Sequence, residues 1–436
     1  MRINKTIQLK TQRSFKVLPY LRSSFFLFSF FLPLNTGISN AFLITSIVVA
    51  IVLLYQNPPP KTIWIKKKML IYSVLPFFLL HVLGLLYTDY LEDGYRYLEK
   101  TISFLLLPVI FLFFRKELLT ILSKVVLKGL LYGCIVSLLV LLTLNFYNYF
   151  LSNDILIIKK SLFDYYHTYH YFTKPLEQHP TYLGVYYLTS LIFINRTIRK
   201  TSVKVVLFAL FCTGLIFLNS RIIFFGFVFC AAFFLLRGAY RLVTKKKFKL
   251  LLIFGIGLGL GVFALSKQIS DTYIGYRIKN IYRFEVSLKS EEKINSKTKA
   301  NPRMSRWISS LELVREKPLF GYGTADEYPN LKKKFEKNGL FAAAKNEYNT
   351  HNQFIGYAIR FGIFGFLCLI CFFILNLRLA IINNNIQYAL LVFIVFFVCL
   401  VENFFDRNFG ITFSAVFFTL FTYIGLLNPK FKFEKR

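Results

Sequence analysis

Loop cysteines, acidic side chains and repeated sequence are what this chain has least of. All six cysteines (Cys134, Cys212, Cys230, Cys368, Cys371 and Cys399) lie inside apolar runs. None is placed to staple an external loop, which removes a disulfide scaffold and leaves redox chemistry and zinc without ligands. Cys368-x-x-Cys371 has metal-like spacing, but it stands among Phe, Ile and Leu and reads as packing, the ordinary role of a buried thiol. No Asp-x-Asp pair occurs, so a glycosyltransferase that uses a metal-bound nucleotide sugar lacks its usual handle. There is no internal repeat, heptad or low-complexity tract. No matched pair of broken apolar segments marks two halves, as a secondary transporter would require.

What the chain does have is apolar length. Its 436 residues are 56% hydrophobic with mean hydropathy +0.52, against about 45–50% for a soluble domain. The excess is gathered into runs that can cross a bilayer. Twelve candidate spans fall at 23–36, 40–55, 69–87, 101–114, 126–149, 180–195, 203–219, 222–238, 249–266, 351–374, 387–404 and 411–427. The basic N-terminus and first apolar run imitate a signal peptide, but no convincing small-x-small site follows, so the first helix is expected to be retained. The formal charge of +33 does not point to nucleic acid, because the Lys and Arg sit mainly between the runs. Clusters such as Lys66-Lys67-Lys68, Arg115-Lys116, Arg196 with Arg199-Lys200, and Lys245-Lys246-Lys247 fall on one side, with both termini. By the positive-inside rule that side is cytoplasmic.

The expected fold is therefore an all-α polytopic membrane protein with about twelve transmembrane helices and one large outer loop containing amphipathic helices. Residues 1–265 hold spans one to nine, 266–350 form the loop, and 351–436 hold spans ten to twelve. The loop carries 17 Lys/Arg and 10 Asp/Glu over 85 residues, and a loop of that length needs a functional reason.

Three places concentrate polar side chains at the outer boundary. In "NPRMSRWISSLELV", Asn301 as N-cap and Pro302 at the first position start a helix. Arg303 and Arg306 project from one side of its first turn, where helix dipole and guanidinium both suit an anion. Ser220-Arg221 is the whole hydrophilic link between two apolar runs. At "THNQF", Thr350 as N-cap and Gln353 at the third position spell a capping box, which makes His351 the first residue of a long helix. His81 reads as a core histidine with a local partner. His167, His170 and His179 lack the carboxylate or thiol that would complete a metal set. The glycines at 255, 257 and 259 read as close helix packing, and Gly321-Tyr322-Gly323 as a tight turn.

In order and spacing these features resemble the O-antigen ligase superfamily of bacterial envelopes, which includes lipid A-core ligases, O-antigen polymerases and O-linked oligosaccharyltransferases. The resemblance rests on Ser220-Arg221 after a span, Arg303 four residues before Trp307, "PLFGYG" and "HNQFIGYAIRFGIFG". It implies a GT-C-like bacterial inner-membrane enzyme whose large loop and active site are periplasmic. The implied reaction is metal-independent, needs no cofactor, and transfers a glycan with inversion from undecaprenyl diphosphate to a sugar hydroxyl of lipid A-core. Carried over by position, Arg221 and Arg303, with Arg306 beside them, bind the donor diphosphate, and His351 acts on the acceptor. Ser220, Asn352, Gly321 and Gly323 support them. Where the family pattern has Glu, this chain has Arg360, which is expected to snorkel or to pair within the bundle, with Glu402 as a candidate partner. The implied partners are the lipid-linked donor, a lipid A-core or growing glycan acceptor, and membrane lipids. A polymerase or a protein O-oligosaccharyltransferase is the alternative, and a solute or bicarbonate transporter a more distant one.

The chemistry agrees with that resemblance. Fixed arginines stabilise a departing diphosphate without a metal, and a hydroxyl acceptor needs a base, most often histidine. The helix dipole is expected to keep His351 neutral.

Overall fold

A computed structural model describes residues 2–57, 68–151, 162–244, 275–276 and 303–428, and no strand occurs among them. In a bilayer, long apolar runs have only helix available to satisfy their backbone, and these runs take it. The first group of helices is α1 (Arg2–Phe31), α2 (Thr36–Gln56), α3 (Lys68–Tyr72), α4 (Leu75–Gly84), α5 (Leu91–Thr101), α6 (Ser103–Leu112) and α7 (Lys116–Leu151). After them come α8 (His170–Thr173), α9 (Pro180–Ile192), α10 (Ile194–Thr197), α11 (Thr201–Leu218) and α12 (Arg221–Thr244). The later part has α13 (Arg303–Glu316), α14 (Glu327–Lys337), α15 (Phe341–Lys345), α16 (Gln353–Ile382), α17 (Ile386–Cys399) and α18 (Asn408–Leu426).

Among the described residues six helices are long and apolar enough to span a membrane: α2, α7, α11, α12, α16 and α18. Three shorter apolar helices accompany them, Val17–Phe31 of α1, α4 and α17. The expected span at 69–87 is divided into α3 and α4. At the break the Ser73 hydroxyl donates to the Leu70 carbonyl (2.7 Å) and accepts from the Leu75 amide (3.2 Å), just ahead of Pro76. The expected span at 249–266 lies outside the described residues, as does 277–302 of the expected loop.

α18 is the axis of the bundle, with 83% of its apolar window buried, whereas α12 buries only 17% of its window. The apolar side chains that α11 and α12 leave exposed, such as Val205, Phe208, Val228 and Leu236, form the surface expected against lipid tails. Inside, a polar triad spans three helices. Tyr388 donates to Asn376 (2.6 Å), Thr422 does the same (2.6 Å), and the two hydroxyls lie 3.0 Å apart.

Two close approaches set the frame. Gly129 and Gly133, four residues apart on α7, meet the backbone of α1. A Cβ on Gly133 would lie 2.0 Å from the Phe30 carbonyl oxygen, and one on Gly129 would lie 2.5 Å from that of Phe26. This small-xxx-small contact lets two helices touch backbone to backbone. The second approach breaks α16. Gly362 has φ +60°, outside the helical region, and the freed groups bond to the segment after α13. The Tyr322 amide donates to the Ile359 carbonyl (2.9 Å), the Gly323 amide to that of Arg360 (3.0 Å), and the Ile363 amide to that of Pro318 (2.9 Å). "PLFGYG" is thus the strap that closes a broken membrane helix.

Gly133→Ala should lower the thermal midpoint of the detergent-purified protein, by the ~1–3 kcal/mol typical of overpacking. Gly238→Ala, on α12 with nothing within 4 Å of its added methyl, should leave the midpoint unchanged or raise it. Equal melting of wild type and Gly133→Ala would remove the α1–α7 contact as a structural determinant.

Candidate functional site

The polar boundary residues are gathered by two facing turns, one before α16 and one before α18. The first differs from the capping box that the sequence suggests. The N-cap is Asn352, in extended conformation, and its Oδ1 accepts from the Phe354 and Ile355 amides (3.0 and 3.2 Å). Thr350 instead turns its hydroxyl toward the Asn352 carbonyl (2.9 Å) and Asn403 Oδ1 (3.2 Å). The Gln353 side chain leaves its own turn and accepts from the Phe405 amide (2.7 Å). Asparagine caps at least as well as threonine, and the neighbouring turn offers Thr350 and Gln353 other partners.

His351 therefore stands outside the helix, at φ +45°, a conformation that costs an L-residue about 1–2 kcal/mol. Its amide donates to Asn349 Oδ1 (3.0 Å), which stabilises the turn. The helix dipole is not what sets its charge.

The second turn presents Glu402. After α17 the Glu402 amide donates to the Val398 carbonyl (2.8 Å), and Asn403 then locks the two turns together. Asn403 Oδ1 accepts from the Asn352 amide (3.0 Å), while its carbonyl accepts from the Tyr182 hydroxyl (3.1 Å). The Glu402 carboxylate, 3% exposed, lies 3.2 Å from His351 Nδ1 through Oε2 and 3.6 Å from Arg303 Nη2 through Oε1. A carboxylate only accepts, so neutral His351 carries its proton on Nδ1 and leaves Nε2 as a lone pair. Burial pushes the His351 pKa below its ordinary value, and Arg306 and Arg303 add to that against the pull of Glu402. Burial opposes ionisation of Glu402, but the hydrogen bond from neutral His351 and the charge of Arg303 hold it below the usual carboxylate range.

Around this pair the structure collects most of the residues expected from the sequence. Arg303 and Arg306 lie in the first described turn of α13, the expected cap Asn301 and Pro302 being outside the described residues, and the Arg306 guanidinium lies over the Tyr348 ring, 5.1 Å from its centroid. Trp307 Nε1 donates to the Thr350 carbonyl (2.9 Å), tying α13 to the turn that bears His351. Arg221 begins α12, whose Phe225 and Phe229 pack on Phe397 and Phe393 of α17 (4.9 and 3.7 Å). That antiparallel pairing brings the start of α12 alongside the link that carries Glu402. Ser220 Oγ meets Thr181 Oγ1 (3.1 Å), and His179 accepts from the Thr181 amide.

Gly321 and Gly323 sit in the strap below. Gly321 has φ +71°, and a Cβ there would lie 2.4 Å from the Ile359 carbonyl oxygen, so its support of the site acts through α16. Of the other histidines, His167 Nδ1 meets Asn145 (3.0 Å) and His170 faces His179 with ring centroids 5.0 Å apart, while His81 is buried in the core as expected but packs against the rings of Tyr97 and Phe361 in place of a hydrogen-bonding partner.

Glu402 was missed as a site residue because the sequence suggested it as a partner for Arg360. Arg360 is fully buried and pairs instead with Glu327 (2.8 Å) and Asp406, its guanidinium stacked among Tyr97, Tyr357 and Phe361. Glu402 and Asp406 are four residues apart in an acid-poor chain. One serves His351 and the other Arg360. The visible signal was that pair of acids in the short link "VENFFDRN".

His351 binds fewer protons folded than unfolded, so its burial stabilises above its unfolded pKa near 6.5, and that stabilisation is lost as pH falls below it. His167 and His179 are depressed by burial too and share the slope. The thermal midpoint should therefore drop between pH 7.5 and 5.5, and more shallowly in His351→Gln. An identical pH slope in the two proteins would contradict a buried neutral His351.

Comparison with known proteins bears on what this arrangement belongs to. No curated protein matches the chain. Residues 206–370 match the family model described as O-antigen ligase, a stretch that contains Arg221, Arg303, Arg306, the strap and the His351 turn. Glu402 lies beyond it. Over that stretch, a little over a third of the chain, the protein is similar to the O-antigen ligase family.

Proposed function

We propose that this protein transfers a glycan from undecaprenyl diphosphate to a sugar hydroxyl of lipid A-core on the periplasmic face of the inner membrane, as an O-antigen ligase. The observation that carries the reading is the Glu402–His351 pair with Arg303 on the same carboxylate and Arg306 beside it. His351 Nε2 accepts the acceptor hydroxyl proton as the oxygen attacks the anomeric carbon from the face opposite the diphosphate. The glycosidic C–O bond to phosphate breaks, its electron pair leaves with the diphosphate, and the configuration inverts. Glu402 orients the ring and stabilises the imidazolium as it forms, as a buried carboxylate does behind other histidine bases. Arg221 and Arg303 receive the leaving diphosphate, with Arg306 supporting. Their bidentate forks match its oxygens better than a point charge.

In this reading both termini are cytoplasmic and 266–350 is periplasmic. A cysteine placed at Ser290, in a chain freed of its native cysteines, should react with a membrane-impermeant reagent in intact spheroplasts. Protection there would reverse the orientation.

Transfer is to be measured with purified lipid-linked donor and lipid A-core acceptor in the presence of EDTA. His351→Ala should lower turnover by roughly 10²–10⁴-fold with donor binding retained, and Arg303→Ala or Arg221→Ala should weaken donor binding as well. Lysine at either arginine position should restore only part. Near-normal turnover by His351→Ala would sink the mechanism. On gels of envelope glycolipids from a deletion strain, loss of all long chains supports a ligase. A core carrying a single repeat would make the enzyme a polymerase.

A further inference from the structure

At the end of the bundle away from His351, the tight α1–α7 contact gathers like charges. Arg22 of α1 and Lys124 and Lys128 of α7 line one cleft of ≈ 890 Å³ with Arg196 of α10 and Arg199 just after it. Lys124 and Lys128 are four residues apart on one helix face, a spacing at which like charges repel. The contact of α1 with Gly129 and Gly133 brings Arg22 against them. No carboxylate lines the cleft among the described residues, and residues 1–22 contain no Asp or Glu. Arg22, Lys124, Lys128 and Arg199 are all exposed.

The cleft is also amphiphilic. Phe26, Leu27 and Val125 contribute apolar wall below the cations, where the helices run on into the bundle. Arg196 is held at the rim, its Nε donating to Gln387 (2.5 Å), its Nη2 to Asn385 (2.9 Å), and its guanidinium lying over Phe193 (5.2 Å). α9 separates this cleft from the His179 and Thr181 end by 13 residues, about 20 Å of helix, so the cleft belongs to the opposite membrane surface.

We propose that this cleft binds the headgroup of an anionic phospholipid, its phosphate among the cations and its acyl chains along the apolar wall. A free phosphate would satisfy the charges alone. The apolar wall continuous with the lipid-facing surface favours the lipid, since basic pockets between membrane helices take acidic headgroups. The proposal does not depend on the transfer reaction.

The test titrates fluorescent phosphatidylglycerol, and separately fluorescent phosphatidylcholine, against the full chain in detergent micelles. Wild type should prefer phosphatidylglycerol, and inorganic phosphate at matched concentration should not displace it. Lys124→Gln with Lys128→Gln should weaken phosphatidylglycerol binding by roughly fivefold per charge and leave phosphatidylcholine binding unchanged. Arg22→Gln with Arg199→Gln is a second variant in case the first does not fold. Folding of each is checked by its thermal midpoint in phosphatidylcholine. Equal affinity for the two lipids, or full phosphatidylglycerol affinity in a folded variant, overturns the proposal. Displacement by inorganic phosphate would make it a free-phosphate site and overturn the lipid assignment.

Discussion

The site depends on a guanidinium that does not belong to it. Arg360 is fully buried on α16 and joins three separate parts of the chain, Glu327 at the start of α14, its own helix, and Asp406 from the turn before α18. Removing one partner of a buried ion pair costs about 3–5 kcal/mol, because the charge left behind cannot be hydrated. Here the loss would strand two carboxylates. The same elements carry the Asn403 bridge and the Thr350 hydroxyl, which lies 3.5 Å from Glu327. The 3.2 Å approach of His351 to Glu402 is therefore set by a charge cluster a turn away, where no substrate has to reach.

That arrangement separates two kinds of polar group. The Arg360 cluster is enclosed by Tyr97, Tyr357 and Phe361 and makes the frame rigid. The His351 cluster has partly exposed members, Arg303 at 22% and His351 at 21% side-chain exposure, and so can meet a ligand from the boundary. Buried charge of both signs gathers at and beside the turns before α16 and α18, while α11 and α12 leave an almost wholly apolar face exposed.

How much of this was legible in the sequence follows from the range of each interaction. The long apolar runs were, because hydropathy is local and lipid leaves helix as the sole outcome. Arg303 and Arg306 on one helix turn were, because a spacing of three defines a face. The capping residue was not. Thr350 and Asn352 are both good caps, and the choice between them is made by Asn403, about fifty residues downstream. Glu402 was unreadable for the same reason, since which of two acids in one link faces histidine and which faces arginine is decided by packing. The break at Gly362 was hidden inside an unbroken apolar run, for it needs the remote strap Pro318–Gly323 to satisfy the backbone.

That break also imposes an order on biogenesis. The strap is synthesised before α16, and domains and segments assemble from the N-terminal side as they emerge. Until α16 arrives, the amides of Tyr322 and Gly323 have only water as partner. Until the strap docks, the carbonyls of Ile359 and Arg360 face a medium with no donors. Completion of this helix and docking of the strap are consequently one cooperative event, and a chain arrested between residues 323 and 359 would present only the strap half of the joint, its amides still without their carbonyls.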